Sequence, residues 1–529
     1  MRQILRQGQS SRSWRFQAGA WRRRSWLPLL ALSLGTGCGD SEARTSVSIF
    51  GSPLALDEHA VWIDRASNQA LVMNVSRSRP RPEVDAFSVP SNPVVFQRRN
   101  RHNELLLLAR GEAAGDGVLV ALGPRGVERR FPLGSRFDTL LQSSDGRYAF
   151  VGFAPERRDD PESLLFNPNE VALVDLDEEG ADAVHRRSLR GLGSAPRSVA
   201  FSPEMEIADE KRRVAVVLFD SHVSILDMNH PDRPEYTVEL SRGASIGLNE
   251  VRFSAEERRI YLLGSNSNDI YVLTLLPASG NRVNDFEPSL NQLGASSRPS
   301  DMALYGEEVE RRLLAVSGST ALVIEAGSNR ITEVALQAHA NRVLLFEGTS
   351  PFDDEVEPRA LLYQQGGSTV SFLDLVGVEE RTTRNVESLP ISGGIQSVVE
   401  LEDNLVVLLR AGGVSLLDLE SRSASELSTA VNLSSTVATP ELKRLWIRPD
   451  GYSALAYLDF DEQRSTPGQV SLDEPAQHLL LFTNSERPRV GVTHQDEGGA
   501  ITLLDARRPH DLDQAVTLRG FFYTYLLDR

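Results

Sequence analysis

One hydrophobic hexamer recurs along this chain and limits what it can fold into. Val414–Leu419 (VSLLDL) has near copies at Val171–Leu176 (VALVDL), Val223–Met228 (VSILDM), Val370–Leu375 (VSFLDL) and Ile501–Ala506 (ITLLDA). Each is rich in leucine and β-branched residues, too short for a helix, and carries an acidic residue that opens a turn. Weaker copies at Ala70–Val75, Gly117–Leu122, Ile270–Leu275, Ala321–Ala326 and Leu455–Phe460 complete a series whose starts lie 41 to 54 residues apart. A second apolar run precedes each hexamer, as in Ala60–Ile63, Leu105–Leu108, Val214–Phe219, Leu405–Leu409 and Val490–Val492. Even the weak ninth unit keeps the pattern, its Ile447-Arg-Pro-Asp-Gly turn matching Leu409-Arg-Ala-Gly-Gly in the eighth.

A period of this length marks a repeat architecture. A four-stranded sheet of about 45 residues cannot bury both of its faces alone, but a ring of such sheets can, each covering the next. Strands covered on both sides are apolar at successive positions, as the hexamers are. The sequence therefore predicts an all-β fold, a β-propeller of four-stranded blades. Ten units can be counted against the four to eight blades usual for propellers. The prediction is thus seven to ten blades, with merged units or two tandem rings as alternatives. A string of β-sandwich domains would need self-contained blocks and linkers, which the even spacing does not provide. Ring closure is expected from pairing of Val47–Phe50 with the last blade, whose outer strand is expected within Ala515–Leu527.

Turns before the apolar runs repeat too. Ser143-Ser-Asp-Gly-Arg-Tyr148, Phe201-Ser-Pro203 and Phe253–Ile260 are variants of one motif, in which Asp or Pro nucleates the turn and Gly takes positive φ. With the hexamers, they resemble the repeats of bacterial β-propellers of the YVTN and WD40-like group. The resemblance covers residues 47–529 and implies a fold but hardly a function; the Trp-Asp dipeptide of true WD40 repeats is absent. Departures from the rhythm predict long loops at 154–169, 277–300, 348–358 and 461–477.

The first 38 residues stand apart. Arg2, Arg6, Arg12, Arg15, Arg22, Arg23 and Arg24, with no acid among them, precede the apolar run Trp26–Leu34 and then Gly35-Thr-Gly-Cys38. This is the layout of a signal peptide, with an apolar run far short of the ~20 residues that span a bilayer. Its end resembles the signals of bacterial lipoproteins, although Gly35 stands where Leu is more usual. The resemblance implies cleavage after residue 37 and lipid attachment at Cys38, the only cysteine in the chain. Residues 38–46 would then be a lipidated tether, 47–529 the propeller, and the location the cell envelope, on the periplasmic face or in the outer membrane. Arg23-Arg24 also resembles a twin-arginine export signal, so the export route stays open. A mature chain without cysteine has no disulfide and must be held by packing.

Loss of the leader's seven positive charges takes the net charge from −17 to −24. A body that acidic repels phosphate backbones, which argues against nucleic acid as a partner. Only Lys211 and Lys443 are lysines among 56 basic residues, an arginine bias that reflects coding.

Few motifs point to chemistry. Gly243-Ala-Ser245-Ile-Gly247 matches the serine-hydrolase elbow G-x-S-x-G, but strands flank it where a helix should follow. Asp175-Leu-Asp-Glu-Glu-Gly180 opens like a calcium loop but has Arg186 where the bidentate Glu is needed, and reads as an acidic turn. No pair of the nine histidines has zinc-helix spacing, and no haem-attachment motif occurs. His222 and His494 are placed to face a ring surface or the channel; Trp62 and Trp446 read as core. No cofactor and no metal site are expected. The first expectation is a lipid-anchored scaffold that binds a partner protein, glycan or envelope component through one ring face. The alternative is an enzyme, a lactonase-like hydrolase or redox protein, with its site at the central channel.

Overall fold

The structure is a computed structural model and describes residues 50–522 except 76–83, 114, 156–166, 242–243, 280–283, 307–310, 326, 350–354, 379–384, 402–403, 411, 429–432, 450, 461–464, 483–487, 497 and 512–514. It is all-β: ten four-stranded antiparallel blades form a β-propeller, each a meander in chain order. Blade 2 is typical, with strands Pro93–Arg98, Leu105–Ala109, Val118–Gly123 and Gly126–Pro132. The recurring hexamer is the third strand of every blade, and the apolar run before it is the second. Two blades depart in detail. In blade 4 a small ribbon, Met205–Ile207 with Glu210–Arg212, extends the turn between Ser198–Phe201 and Val214–Leu218. In blade 6 the middle strands run on as Arg312–Glu325, the first half pairing with Asp301–Tyr305 and the second with Ile331–Ala340; Gly318, at φ +60°, lies between the halves.

Side-chain alternation shows why one ring accommodates these strands. In Leu105–Leu108, Leu105 and Leu107 pack with Val61, Ile63 and Val72 of blade 1, while Leu106 and Leu108 pack with Ala149, Val151 and Val174 of blade 3. Successive residues of one strand thus serve two interfaces, so no position on it is free to be polar. The same division repeats around the molecule, giving ten hydrophobic clusters, one for each pair of neighbouring blades. Truncating one such leucine to alanine costs about 2–5 kcal/mol. A sandwich of independent domains is incompatible with sheets buried on both faces by different neighbours.

The tenth cluster closes the ring, and not in the expected way. Blade 1 is built from residues 54–88 and blade 10 from residues 476–519, each supplying its own four strands. Phe50 bridges Asp64 of its own blade and adds no strand to blade 10; Val47 to Ile49 lie outside the described residues. Closure comes from side chains. Phe50 stacks on Phe522 with centroids 4.0 Å apart, and Phe521 and Phe522 pack on Trp62. The C-terminal stretch does give blade 10 its outer strand, Val516–Arg519.

Two predicted loops are largely strand. Phe286–Gly294 is the outer strand of blade 5, paired residue by residue with Asp269–Pro277, and Ser465–Ser471 is the outer strand of blade 9. Outer strands meet solvent, as the exposed Ser289 to Gln292 show, and so lose the apolar signature. The 348–358 segment is shorter as a loop than expected, since strands run to Thr349 and from Val356; most of 154–169 lies outside the described residues.

Candidate functional site

A meander places its connections on two rims. Turns joining strands 1–2 and 3–4 lie on one; turns joining strands 2–3, and the links between blades, lie on the other. The first rim is tied together by its own charges. The Asp that ends a third strand accepts from the turn that follows: Asp175 from the Asp177 amide, Asp227 from Asn229, Asp418 from Glu420 and Asp505 from Arg507, at 2.8–3.0 Å. The second oxygen of Asp175 takes Arg147 at 3.0 Å, and that of Asp227 takes Arg212 at 2.6 Å. Other arginines cross to the next blade. Arg444 donates to the Ala506 carbonyl (2.5 Å), Arg489 to that of Val75 (2.6 Å), and Arg129 to that of Leu176. Arg99, 1% exposed, reaches from blade 2 to the Gly146 carbonyl of blade 3 at 2.7 Å and pairs with Glu104 and Asp177. Gly146 has φ +72°, and a Cβ there would fall 2.0 Å from the Asn100 carbonyl oxygen, so the turn requires glycine. We call this the stapled rim.

The opposite rim is furnished with amides. Arg110–Asp138 (2.9 Å) bridges blades 2 and 3 there, but much of the bonding is neutral. Asn68 Oδ1 accepts the Asn92 amide, Asn92 Nδ2 donates to the Gly111 carbonyl, Asn341 Oδ1 accepts the Gln365 amide, and Gln365 Nε2 donates to the Gln396 carbonyl. First strands of the blades are innermost and border the channel. In five of them the register with strand 2 slips at the end nearest this rim: Pro93/Val95, Leu248/Glu250, Ile395/Ser397, Leu433/Ser435 and Ala476/His478. A bulge re-aims the residue it leaves unpaired. Those residues are Val94, Asn249, Gln396, Ser434 and Gln477, of which Asn249, Gln396 and Gln477 are exposed. Beside Val94 a cavity of about 340 Å³ is lined by Ile63, Arg65, Pro93, Val95, Phe96 and Leu107. Deeper in, the channel wall is half-buried and apolar, as at Val251, Leu304, Leu344, Val398 and Leu479.

Three adjacent blades add an acid pair at this mouth. Glu250 of blade 5 hydrogen-bonds Asp301 of blade 6. Arg252 lies 2.5 Å from Glu250 and 3.7 Å from Asp301, and donates to the Met302 carbonyl at 2.9 Å. Asp301 in turn accepts the Val343 amide of blade 7 at 2.9 Å. Burial, then the neighbouring Asp301 charge, pushes the Glu250 carboxyl up to about 7, against the opposing pull of Arg252. Glu250 therefore changes its charge near neutrality. His478, at the same mouth in blade 10, is pushed below its usual range by burial and by Arg448.

Residues singled out by sequence are scattered. Cys38 and the leader lie outside the described residues. Ser245 sits exposed in the link between Tyr236–Glu239 and Leu248–Ser254, with no helix after it. Asp175 and Asp177 are engaged by Arg147 and Arg99, the bonding of a structural turn. A polar cavity of about 470 Å³ lies beside them on the stapled rim, lined by Glu178, Asp182, His185 and Asp232 among others. His222 is buried, stacks on Phe219 at 4.1 Å and donates to the Arg190 carbonyl at 2.9 Å; burial pushes it down. His494 donates to the Pro475 carbonyl (3.2 Å) and accepts from Thr502 (2.7 Å). Both bind the link leading into their own blade, a structural use. Trp62 and Trp446 are core. Among the described residues no three His, Cys, Asp or Glu side chains gather as metal ligands, and no helix is long and apolar enough to cross a membrane.

No family model matches the sequence, and no curated protein does. Among solved structures, dihydro-heme d1 dehydrogenase NirN in complex with DHE is similar over 73% of this chain and 78% of its own, at 15% identity and a TM-score of 0.42. Kluyveromyces lactis Hsv2 is similar over 60% of this chain and 96% of its own, at 8% identity and a TM-score of 0.31.

Proposed function

We propose that this protein is a lipid-anchored, extracytoplasmic propeller that holds a partner (a protein, a glycan or another envelope component) through its amide rim. The contrast between the rims carries the reading. On one rim charged groups are spent on one another across blade boundaries; on the other, exposed neutral groups from several blades surround the channel mouth. A rigid ring with such a rim recognises by shape and hydrogen bonding and needs no reactive group. The anchor rests on the lipobox-like Gly35–Cys38. Photocrosslinkers placed singly at Ser397 and Gln477 on the amide rim, and at Glu178 and Glu420 on the stapled rim, test the face. Capture of an envelope component from the first two positions alone is expected; capture only from the second two, or none, refutes the proposal. Mass spectrometry of membrane-extracted protein tests the anchor: an acylated N-terminal Cys38 is expected, and an intact leader or a bare cysteine refutes it.

One observation favours the enzyme reading: Glu250 lies beside Asp301, and its carboxyl at about 7 suits a general acid. The pair comes from adjacent blades, not from across the channel. That reading predicts hydrolysis of simple lactones by the purified protein, abolished in Glu250→Gln.

A further inference from the structure

Resting on the amide-rim reading, we infer that the channel mouth binds the hydroxyl groups of an uncharged glycan through the bulged inner strands of blades 5, 8 and 10. Three observations lead there. The register slips at one place in five inner strands, and in three of those the residue set loose is an exposed carboxamide: Asn249, Gln396 and Gln477. A carboxamide offers two donors and an acceptor fixed in one plane, and a sugar hydroxyl is both donor and acceptor, so each amide can engage a pair of neighbouring hydroxyls. Among the described residues these three side chains have no hydrogen-bond partner, so binding displaces water and breaks no internal bond.

On the same rim, two blades on from Gln477, the bulge at Val94 opens the cavity walled by Ile63, Arg65, Pro93, Val95, Phe96 and Leu107. Sugars have apolar C–H faces as well as hydroxyls, and this aliphatic and aromatic surface, edged by Arg65, offers a face for the former while the amides elsewhere on the rim take the latter. The third observation is charge. A mature chain at −24, by the loss of seven leader arginines from −17, repels polyanionic glycans. Amides on three separate blades would each bind weakly and gain through linkage, which selects a chain of sugars over a single one.

Calorimetry of the full-length protein in neutral detergent, titrated with hexasaccharides of glucose, mannose and N-acetylglucosamine, tests this. A second arm uses phosphatidylcholine vesicles carrying a diglucosyl lipid. Binding in the first arm identifies a free or wall glycan as the source, and binding only in the second identifies a membrane head group; either supports the inference. The triple variant Asn249→Ala, Gln396→Ala, Gln477→Ala should weaken that binding at least tenfold with an unchanged melting temperature, and high salt should leave the wild-type affinity unchanged. No binding in either arm, binding indifferent to the triple variant, or binding abolished by salt overturns it. If the crosslinkers at Ser397 and Gln477 still capture a protein while sugars fail, the glycan inference alone falls.

Discussion

The two rims answer the same problem, holding ten wedges in a circle, with different chemistry. On the stapled rim, guanidinium groups reach over the blade boundary to a carboxylate or to the carbonyl that ends the neighbour's third strand, as Arg444 does with Ala506. On the amide rim, ion pairs such as Arg110–Asp138 also cross boundaries, but beside them run neutral bonds such as Gln365 to the Gln396 carbonyl. Titration separates the rims further. Asp145 on the stapled rim is pushed up by burial, but hydrogen bonds from Ser143 and Arg213 outweigh this and hold it at about 2; Glu250 at the amide mouth stands at about 7. One carboxyl is kept charged far into acid, and the other takes up its proton already near neutrality. Ion pairs occur on both rims, but the exposed carboxamides Asn249, Gln396 and Gln477 belong to the amide rim.

The sharpest way to break the comparison is to remove a staple. Arg212 is 1% exposed at its side chain and lies between Asp227, Glu210 and Asp285. Arg212→Ala leaves the buried Asp227 carboxylate with only the more distant Arg233, at 3.9 Å, and should cost about 3 kcal/mol, read as a shift of the urea midpoint. Arg444→Met loses the paired bonds to Asp459 and the inter-blade carbonyl, and about 1–3 kcal/mol is expected; Arg444→Lys should recover only part of it.

The pH dependence should carry opposite signs. Asp145 binds its proton less readily folded than unfolded, so its contribution is complete above the usual carboxylate range and is lost as pH falls toward 2. Glu250 binds its proton more readily folded, so its contribution is complete at low pH and is lost as pH rises through about 7. Melting temperature against pH should lose its acid-side slope in part in Asp145→Asn and its slope between about 4 and 7 in Glu250→Gln; identical profiles would erase the distinction. Smallest of all, Asn249→Ala, Gln396→Ala and Gln477→Ala should each change stability by less than about 0.5 kcal/mol. A loss above about 1 kcal/mol at any of them would make the amide rim a structural one.

How much was legible follows from what each feature depends on. The hexamers predicted all ten third strands because burial on both sides leaves an apolar run in the chain itself. Outer strands such as Phe286–Gly294 read as loop because solvent removes that run. Staples were hidden by distance: Arg99 and Asp177 are 78 residues apart, and nothing local marks them as partners. The arginine bias, read as a matter of coding, also supplies these contacts. The hint available was a basic residue in the first half of the second strand paired with an acid at or near the end of the third, as in Arg359/Asp374 and Arg444/Asp459. Bulges are a matter of register between strands, and Gln477 looks no different in the sequence from any other polar residue at a strand's start.

The seam between Phe50 and Phe522 has a mechanical consequence. Phe50, the first described residue, meets the end of blade 1's second strand at the amide rim. The twelve residues from Cys38 to Ile49 span at most about 40 Å when fully extended. If Cys38 carries the proposed lipid, a ring fastened by these residues would hang from its margin like a coin on a short thread, able to tip but not to travel. Any tug along the thread lands on the joint between the first and last blades, where no shared strand resists it and three phenylalanines and a tryptophan act as the clasp.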